Sequence, residues 1–441
     1  MRQLEEQLKN AGIDFPAQKN GAESEWEFEA EVKDIDQLKA LLAYDMPEVD
    51  KTLQVTEKSN APSTIEKKAH DFVFLGKELT DKDRKMMEGS FPMNVVVKSS
   101  PDKVLKKNEV WDLGTSTTPR VYHIGTLTMN PGSSIRIANT VLNLTIDRLV
   151  KIVDTNAGVV NYDLGIFGVT GDTPDAALAG TAGITGPNGD GGTCCSGGGI
   201  AGDNGKPGAK GGDGGKGNTG IEGNDGLPSL TAYIKIGTID ADSFVISTRS
   251  GDGSQGGKGG DGGKGGNGGN GGNGATCACE HTNGGNGGNG GNGGNGGDGG
   301  NGGSGVDEIK LSGRSTIGPG KGGNAGKGGC GGRGGRAGHS GISSNVFITV
   351  PRSQESLIRC YSLTGKAGIP GMGGWAGKDG LRGKDGLAIN NSFLDINATE
   401  DDLGAVNQAR NGREGLCMPP AKIYINNELQ KVNKKTGNII I

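Results

Sequence analysis

The chain has 441 residues, of which 89 are glycine, 32% are hydrophobic and 4% are aromatic. This apolar share is below that of ordinary globular domains, and it excludes one large hydrophobic core through the glycine-rich two thirds. The net charge is −4, and basic residues alternate with acidic ones along the glycine runs, which argues against nucleic-acid binding. The chain contains no apolar run of membrane-spanning length, so membrane insertion is not expected either.

Residues 1–60 are predicted to form a small α+β unit for attachment or oligomerisation. Leu4 and Leu8 lie on one face of a helix that precedes a glycine, and Asp34 is placed to cap a second helix. Between them, Glu25 to Val32 alternates apolar and acidic residues, which is typical of a half-buried strand.

The rest of the chain divides by composition into four predicted regions. Residues 61–90 are a linker with a short helix, and 91–160 are a β region of short apolar runs separated by turn residues. Residues 161–400 are glycine-rich with interposed strand pairs, and 401–441 are C-terminal strands and tail.

Glycine recurs at every third position in five long runs. The runs are Gly202–Gly226, Gly256–Gly274, Gly284–Gly305, Gly320–Gly341 and Gly365–Gly386. Three residues per turn is the period of polyproline-II helices, and glycine at that spacing lets neighbouring backbones approach closely. The expected fold class is therefore mostly β or other: the small α+β unit, a short-stranded β region, and a bundle of polyglycine-II helices capped by strand pairs. A collagen-like trimer and a disordered low-complexity tract are the alternatives.

An internal repeat connects the β region to the glycine runs. The segment Val121 to Ile137 resembles Ala232 to Thr248, and weaker copies follow at Val346 to Cys360 and Leu387 to Asn397. The repeating unit is strand, turn, strand and then glycine-rich sequence, so the strand pairs are expected to align the glycine helices at one end.

Four of the seven cysteines interrupt the glycine register. Cys194, Cys195, Cys277 and Cys279 are candidates for disulfides that pin turns, with reduced thiols as the alternative. A weaker alternative at the second break is a metal site formed by Cys277, Cys279 and His281, whose spacing is not a standard zinc pattern. No cofactor is expected.

At its glycine runs the chain resembles the polyglycine-II proteins, namely the tip adhesins of certain phage long tail fibres and, more distantly, the snow-flea antifreeze proteins. The resemblance covers about a quarter of the chain, and it implies a fold more than a function. For the adhesins it implies an N-terminal attachment region and variable loops that bind a receptor on the host surface.

The expected function is a non-enzymatic adhesive or receptor-binding protein, because the chain contains no nucleophile motif and only four histidines. Loop residues are the candidate binding residues, namely Thr193, Ser196, Thr276, Glu280, His281 and Thr282. A structural rod or self-assembling scaffold is the alternative, and an ice-binding protein is less favoured. The expected partner is a cell-surface protein or glycan, or further copies of the chain, with residues 1–60 joining a larger fibre. The expected location is a virion or the extracellular surface, reached without a conventional signal peptide, with the cytoplasm as the alternative.

Overall fold

A computed structural model gives the structure of the chain. It describes residues 2–14, 25–43, 65–152, 162–190, 207, 209–271, 327–379, 407–432 and 439–440. The helices are α1 Arg2–Asn10, α2 Ile35–Leu42, α3 Ile65–Leu75 and α4 Asp81–Met87, with 3-10 turns at Glu88–Ser90 and Arg352–Leu357. Among these residues, no helix is long and apolar enough to cross a membrane.

The strands are distributed along the whole described chain. They are β1 Trp26–Val32, β2 Met93–Leu105, β3 Val110–Asp112, β4 Arg120–Met129, β5 Ser134–Ala138, β6 Leu142–Lys151, β7 Leu164–Phe167, β8 Ala232–Asp240, β9 Phe244–Arg249, β10 Val346–Thr349, β11 Ile358–Leu363, β12 Ile423–Ile425, β13 Glu428–Leu429, β14 Lys431–Val432 and β15 Ile439–Ile440.

Two sheets organise the molecule. The larger has eight strands in the order β1-β2-β4-β6-β8-β10-β12-β13, and the smaller has five in the order β11-β9-β7-β5-β3. The five-stranded sheet is parallel, whereas the eight-stranded sheet is mixed because β1 and β13 pair antiparallel with their neighbours. From β2 to β12 successive strands alternate between the two sheets, so the chain winds in coils that stack on one another.

The main hydrophobic core lies between the two sheets, because each coil contributes the inward face of one strand from each sheet. Ile124, Ile146 and Ile236 occupy the same register position on β4, β6 and β8 and are fully or almost fully buried. Parallel pairing therefore stacks identical β-branched side chains, which suit a pleated buried surface. The related segments at 121–137 and 232–248 form equivalent parts of two coils, β4–β5 and β8–β9.

A second core covers the other face of the eight-stranded sheet. Leu4, Leu8 and Leu41 from the N-terminal helices belong to one buried cluster with Val97 and Phe347 of the sheet. The predicted cap is confirmed here: the Asp34 side chain accepts from the Gln37 N–H at the start of α2. The N-terminal residues thus contact several coils, and their independence as a separate unit stays a prediction.

The predicted fold class is wrong. A mixed eight-stranded sheet and a parallel five-stranded sheet with few helices, an α/β-like arrangement, replace the expected polyglycine-II bundle as the organising structure. The expected strand pairs do not cap a bundle, because the two strands of each pair lie in different sheets and bond to strands of the neighbouring coils. The three-residue glycine period reports only the local spacing of residues. It contains no information on the pairing of the intervening strands with strands of the neighbouring coils.

Candidate functional site

Three glycine-rich excursions connect the two sheets. Each leaves the end of a strand in the five-stranded sheet and returns to the start of a strand in the eight-stranded sheet. We call residues 168–190, 250–271 and 364–379 the first, second and third outgoing segments, and residues 209–231, 327–345 and 407–422 the corresponding returning segments. Apart from isolated bridge residues, they contain neither helix nor strand.

The segments bond to one another through the backbone at every third residue. The outgoing segments run parallel: the Gly180 N–H donates to the Asp261 carbonyl at 2.8 Å, and the Gly183 N–H to the Lys264 carbonyl at 2.5 Å. Outgoing and returning segments run antiparallel, as where Gly263 donates to Gly215 at 2.8 Å. The result is an outgoing layer and a returning layer of three segments each, which continue the stacking order of the coils.

Glycine is required at the inward positions of these layers by close backbone contact. A Cβ added at Gly263 would lie 1.9 Å from the Thr181 carbonyl oxygen, and one at Gly335 would lie 1.9 Å from that of Ile221. Real Cβ atoms do not come this near to backbone oxygens. Larger side chains therefore occupy the remaining positions, which project outward in rows with about 9 Å between successive members at an extended three-residue repeat, whereas the buried non-glycine residues of the layers are small, such as Ala337 and Ser340.

Carboxylates in the outward rows complete the bonding of neighbouring segments. Asp261 accepts from the Trp375 N–H at 2.9 Å, and Asp252 accepts from the Lys366 N–H at 2.6 Å. The bond from Trp375 lowers the pKa of Asp261. At Asp252 burial raises the pKa, but the bonds from Lys366 and Arg249 outweigh it and the pKa is lowered. These acidic residues thus help to hold adjacent segments together.

The third outgoing segment presents an apolar row to solvent. Ile369, Met372 and Trp375 follow one another at three-residue spacing and are 68%, 53% and 47% exposed. Lys366 and Lys378 continue the row at its two ends, and both are exposed. The row lies on the last segment of the outgoing layer, where an apolar surface is open to a partner.

The described parts of all three excursions leave and re-enter the layers at the end that is far from the sheets. The described chain stops at residues 190, 271 and 379 and continues in the layers from residues 209, 327 and 407. Neighbouring ends are bonded in pairs: the Gly189 N–H donates to the Asn270 carbonyl at 2.7 Å, and Asp379 accepts from the Gly328 N–H. We call this region the distal end.

The sequence-predicted site residues lie outside the described residues. This holds for the six candidate binding residues, for the four candidate disulfide cysteines and for the alternative metal ligands, so these predictions stay predictions. Within the described part of the chain, Cys330 and Cys417 are exposed free thiols and Cys360 is a buried one. The same part of the chain contains no group of side chains that could hold a metal ion.

A groove of about 440 Å³ lies beside the N-terminal helices. Asp36 and Arg84 line it and form an ion pair, and the Arg84 guanidinium also lies 5.0 Å from the centre of the Phe72 ring. The Asp36 and Arg84 charges in this groove therefore compensate each other.

No family model, curated protein or solved structure matches the chain. The glycine layers must be interpreted from their own residues. Sequence reasoning missed the third returning segment, because only Gly412 and Gly415 mark the triplet spacing there. The third outgoing segment offered a signal, because the chain must return along it to reach β12.

Proposed function

We propose that the protein is a non-enzymatic adhesive or receptor-binding protein that presents its three distal connections to a surface receptor. The observation that carries the proposal is topological: three excursions, separated by many residues in sequence, leave and re-enter the layers at one end. Loops displayed on a rigid scaffold are where recognition usually resides. The receptor would be a protein or glycan of a cell surface, and the protein would act on a virion or outside the cell.

The resemblance of the glycine runs to the tip adhesins of phage long tail fibres agrees with this role. In such an arrangement the N-terminal residues attach the chain to a larger fibre. Here α1 and α2 pack on the eight-stranded sheet, whereas the distal end lies beyond the layers. Attachment and recognition would thus use separate parts of the molecule.

A self-assembling scaffold is the second candidate, and the apolar row at Ile369, Met372 and Trp375 favours it. Apolar side chains in a continuous exposed row are a common feature of surfaces that bind other chains. Copies of this chain that meet through the row would extend the layers sideways.

Replacing the distal connections tests the first proposal. In one variant, residues 193–201, 275–282 and 387–397, one stretch from each connection, are exchanged for glycine–asparagine sequence of equal length, and fluorescently labelled full-length protein is applied to a panel of cells in flow cytometry. We expect loss of at least about nine tenths of the binding, since affinity changes tenfold for each 1.4 kcal/mol. The control carries Thr173→Ala and Thr185→Ala, two exposed positions on the first outgoing segment. Equal binding by the exchanged variant and the control would contradict the proposal.

Sedimentation of the full chain tests the second candidate. We expect a Trp375→Ser and Met372→Ser variant to sediment as a smaller species than the unaltered chain if the apolar row joins copies. A Leu178→Ser variant, which alters an exposed apolar residue on the first outgoing segment, is the control. Identical sedimentation of all three proteins would exclude assembly through this row.

A further inference from the structure

Four arginines occupy two adjacent segments of the returning layer. Arg333 and Arg336 lie on the second returning segment, and Arg410 and Arg413 lie on the third. The two segments are in parallel register: the Gly334 N–H donates to the Arg410 carbonyl at 3.0 Å, and the Ala337 N–H to the Arg413 carbonyl at 2.9 Å. The register therefore sets Arg333 beside Arg410 and Arg336 beside Arg413. We call these residues the arginine quartet.

Contacts between the two segments support this placement. The Arg333 Nε lies 3.4 Å from the Asn411 carbonyl oxygen, so its side chain extends toward the third returning segment. Three residues further along each row, the Leu416 N–H donates to His339 Nδ1 at 2.8 Å. Arg333, Arg410 and Arg413 are exposed. The quartet thus forms a solvent-facing two-by-two array whose longer side is about 9 Å, the length of an extended triplet.

The positive charge of the quartet is largely uncompensated. Arg336 pairs with Glu222 at 3.1 Å, whereas Arg333, Arg410 and Arg413 have no ion pair within the described residues. Some basic residues elsewhere in the layers are paired, such as Lys258, which lies 3.2 Å from Asp261. Like charges on directly neighbouring strands are unfavourable, so four guanidinium groups on two adjacent segments carry an electrostatic cost that an anionic ligand would relieve.

We propose that the arginine quartet binds an acidic polysaccharide through its carboxylate or sulfate groups. Guanidinium groups form bidentate, charge-assisted bonds with planar or tetrahedral oxyanions. An array of fixed cations with regular spacing suits a polymer whose anionic groups recur once per sugar or per disaccharide. This inference rests on the proposed function, because it names a ligand class that a surface-binding protein would meet.

Nucleic acid fits the quartet less well. Duplex DNA carries one charge for about every 1.7 Å of axis, and its binding is supported by many phosphate contacts. The chain has a net charge of −4, and Glu222 and Glu414 lie next to the quartet. A dense polyanion would therefore meet acidic residues as soon as it extended beyond the four arginines.

The test compares two double variants of the full-length chain. Arg410→Gln with Arg413→Gln removes two charges of the quartet, and the backbone carbonyls that bond to the neighbouring segment stay in place. Lys264→Gln with Lys378→Gln removes the same charge from exposed positions of the outgoing layer. Binding to dextran sulfate, polygalacturonate, neutral dextran and poly(dT) is measured by biolayer interferometry at several salt concentrations, after thermal unfolding has shown that each variant is folded.

We expect the unaltered chain to bind dextran sulfate or polygalacturonate but not neutral dextran. The arginine variant should bind about tenfold more weakly, with a salt dependence reduced by about one for each arginine removed, while the lysine variant keeps its affinity. Equal loss in both variants, no binding to either acidic polysaccharide, or tighter binding to poly(dT) would overturn the proposal. If cells are still bound through the distal connections, failure here leaves the proposed receptor-binding function intact.

Discussion

The coils and the glycine layers are stacked in the same order but are stabilised by different interactions. Between the sheets, Ile124, Ile146 and Ile236 bury branched side chains against one another, and each fully buried side chain contributes about 1.5–3 kcal/mol. In the layers most inward positions are glycine, and the contacts there are mainly backbone hydrogen bonds, each worth about 1 kcal/mol net. The same winding of the chain therefore builds a hydrophobic core between the sheets and a backbone-bonded interior in the layers.

This difference explains how so glycine-rich a chain can fold. Glycine loses more conformational freedom on folding than any other residue, and the layers contribute little apolar burial to offset that loss. The sheets fix both ends of every excursion, so each outgoing segment starts beside its neighbour already aligned. We infer that the layers depend on the coils for their stability, and that the coils depend less on the layers.

Truncating a core side chain should have the largest effect. We expect Ile146→Ala to lower the free energy of unfolding by about 2–5 kcal/mol, because it leaves a cavity between two stacked isoleucines. Urea denaturation followed by tryptophan fluorescence measures the change. Val104→Ala, at a strand position that is 57% exposed, is the control and should stay within about 0.5 kcal/mol of the unaltered chain. Similar losses in both variants would show that the space between the sheets is not the main core.

Adding one methyl group to an inward glycine should have the next largest effect. We expect Gly335→Ala to cost roughly 1–3 kcal/mol, because its Cβ would meet the Ile221 carbonyl oxygen and displace a backbone bond. Hydrogen exchange measured by mass spectrometry should become faster in the layers while β4 and β6 stay protected. Thr219→Ala, at an exposed position of the first returning segment, should leave exchange unchanged. Faster exchange in the sheets as well would contradict the idea that the coils are independent of the layers.

The Asp261 carboxylate should have a smaller, pH-dependent effect. Its pKa in the folded chain is lowered from the ordinary value of 3.8, mainly by the Trp375 N–H. The stabilisation is therefore present above that ordinary value and is lost as the pH falls through the lower pKa of the folded chain. We expect Asp261→Asn to cost a few tenths of a kcal/mol at neutral pH, since solvent screens this half-exposed group, and nothing in strong acid. Urea unfolding of both proteins across pH measures this, and a constant difference at all pH values would exclude the charge effect.

The smallest effect on stability should accompany labelling of the exposed thiols. Burial raises the pKa of Cys360 to about 12, so this thiol should resist iodoacetamide in the folded chain. Cys330 and Cys417 are exposed and should react without a change in the unfolding midpoint. Peptide mass spectrometry distinguishes the sites. Early labelling of Cys360 would show that the edge of the five-stranded sheet opens readily.

The sequence predicted local features better than long-range ones. The Asp34 cap of α2, the strand at β1 and a short helix within residues 61–90, found as α4, were recognisable from a few neighbouring residues. The repeat at 121–137 and 232–248 identified two equivalent pieces of chain, but it did not show that β6 lies between β4 and β8. Which strand pairs with which depends on the burial of a whole coil, and no short window of residues contains that information.

The candidate surfaces show the same limit. Arg333 and Arg410 each look like an ordinary polar substituent of glycine-rich sequence, and they become neighbours only through the register of two returning segments. The N–H partners of Asp252 and Asp261 lie more than a hundred residues away. The composition gives the number of charged residues. It does not show that acidic side chains accept hydrogen bonds from backbone N–H groups, or that arginines lie together on two adjacent segments.

The difference in residue number between bonded residues is constant along the first and second outgoing segments, so the layers have a fixed three-residue phase. Gly180 bonds to Asp261 and Gly183 to Lys264, so the same three-residue phase is kept along the contact. Deleting one residue would move a side chain into an inward position of each triplet beyond the deletion, whereas deleting a whole triplet would only shorten the layer. Natural variants of this protein should therefore gain and lose residues in the layers in multiples of three. The distal connections should vary in length without this restriction.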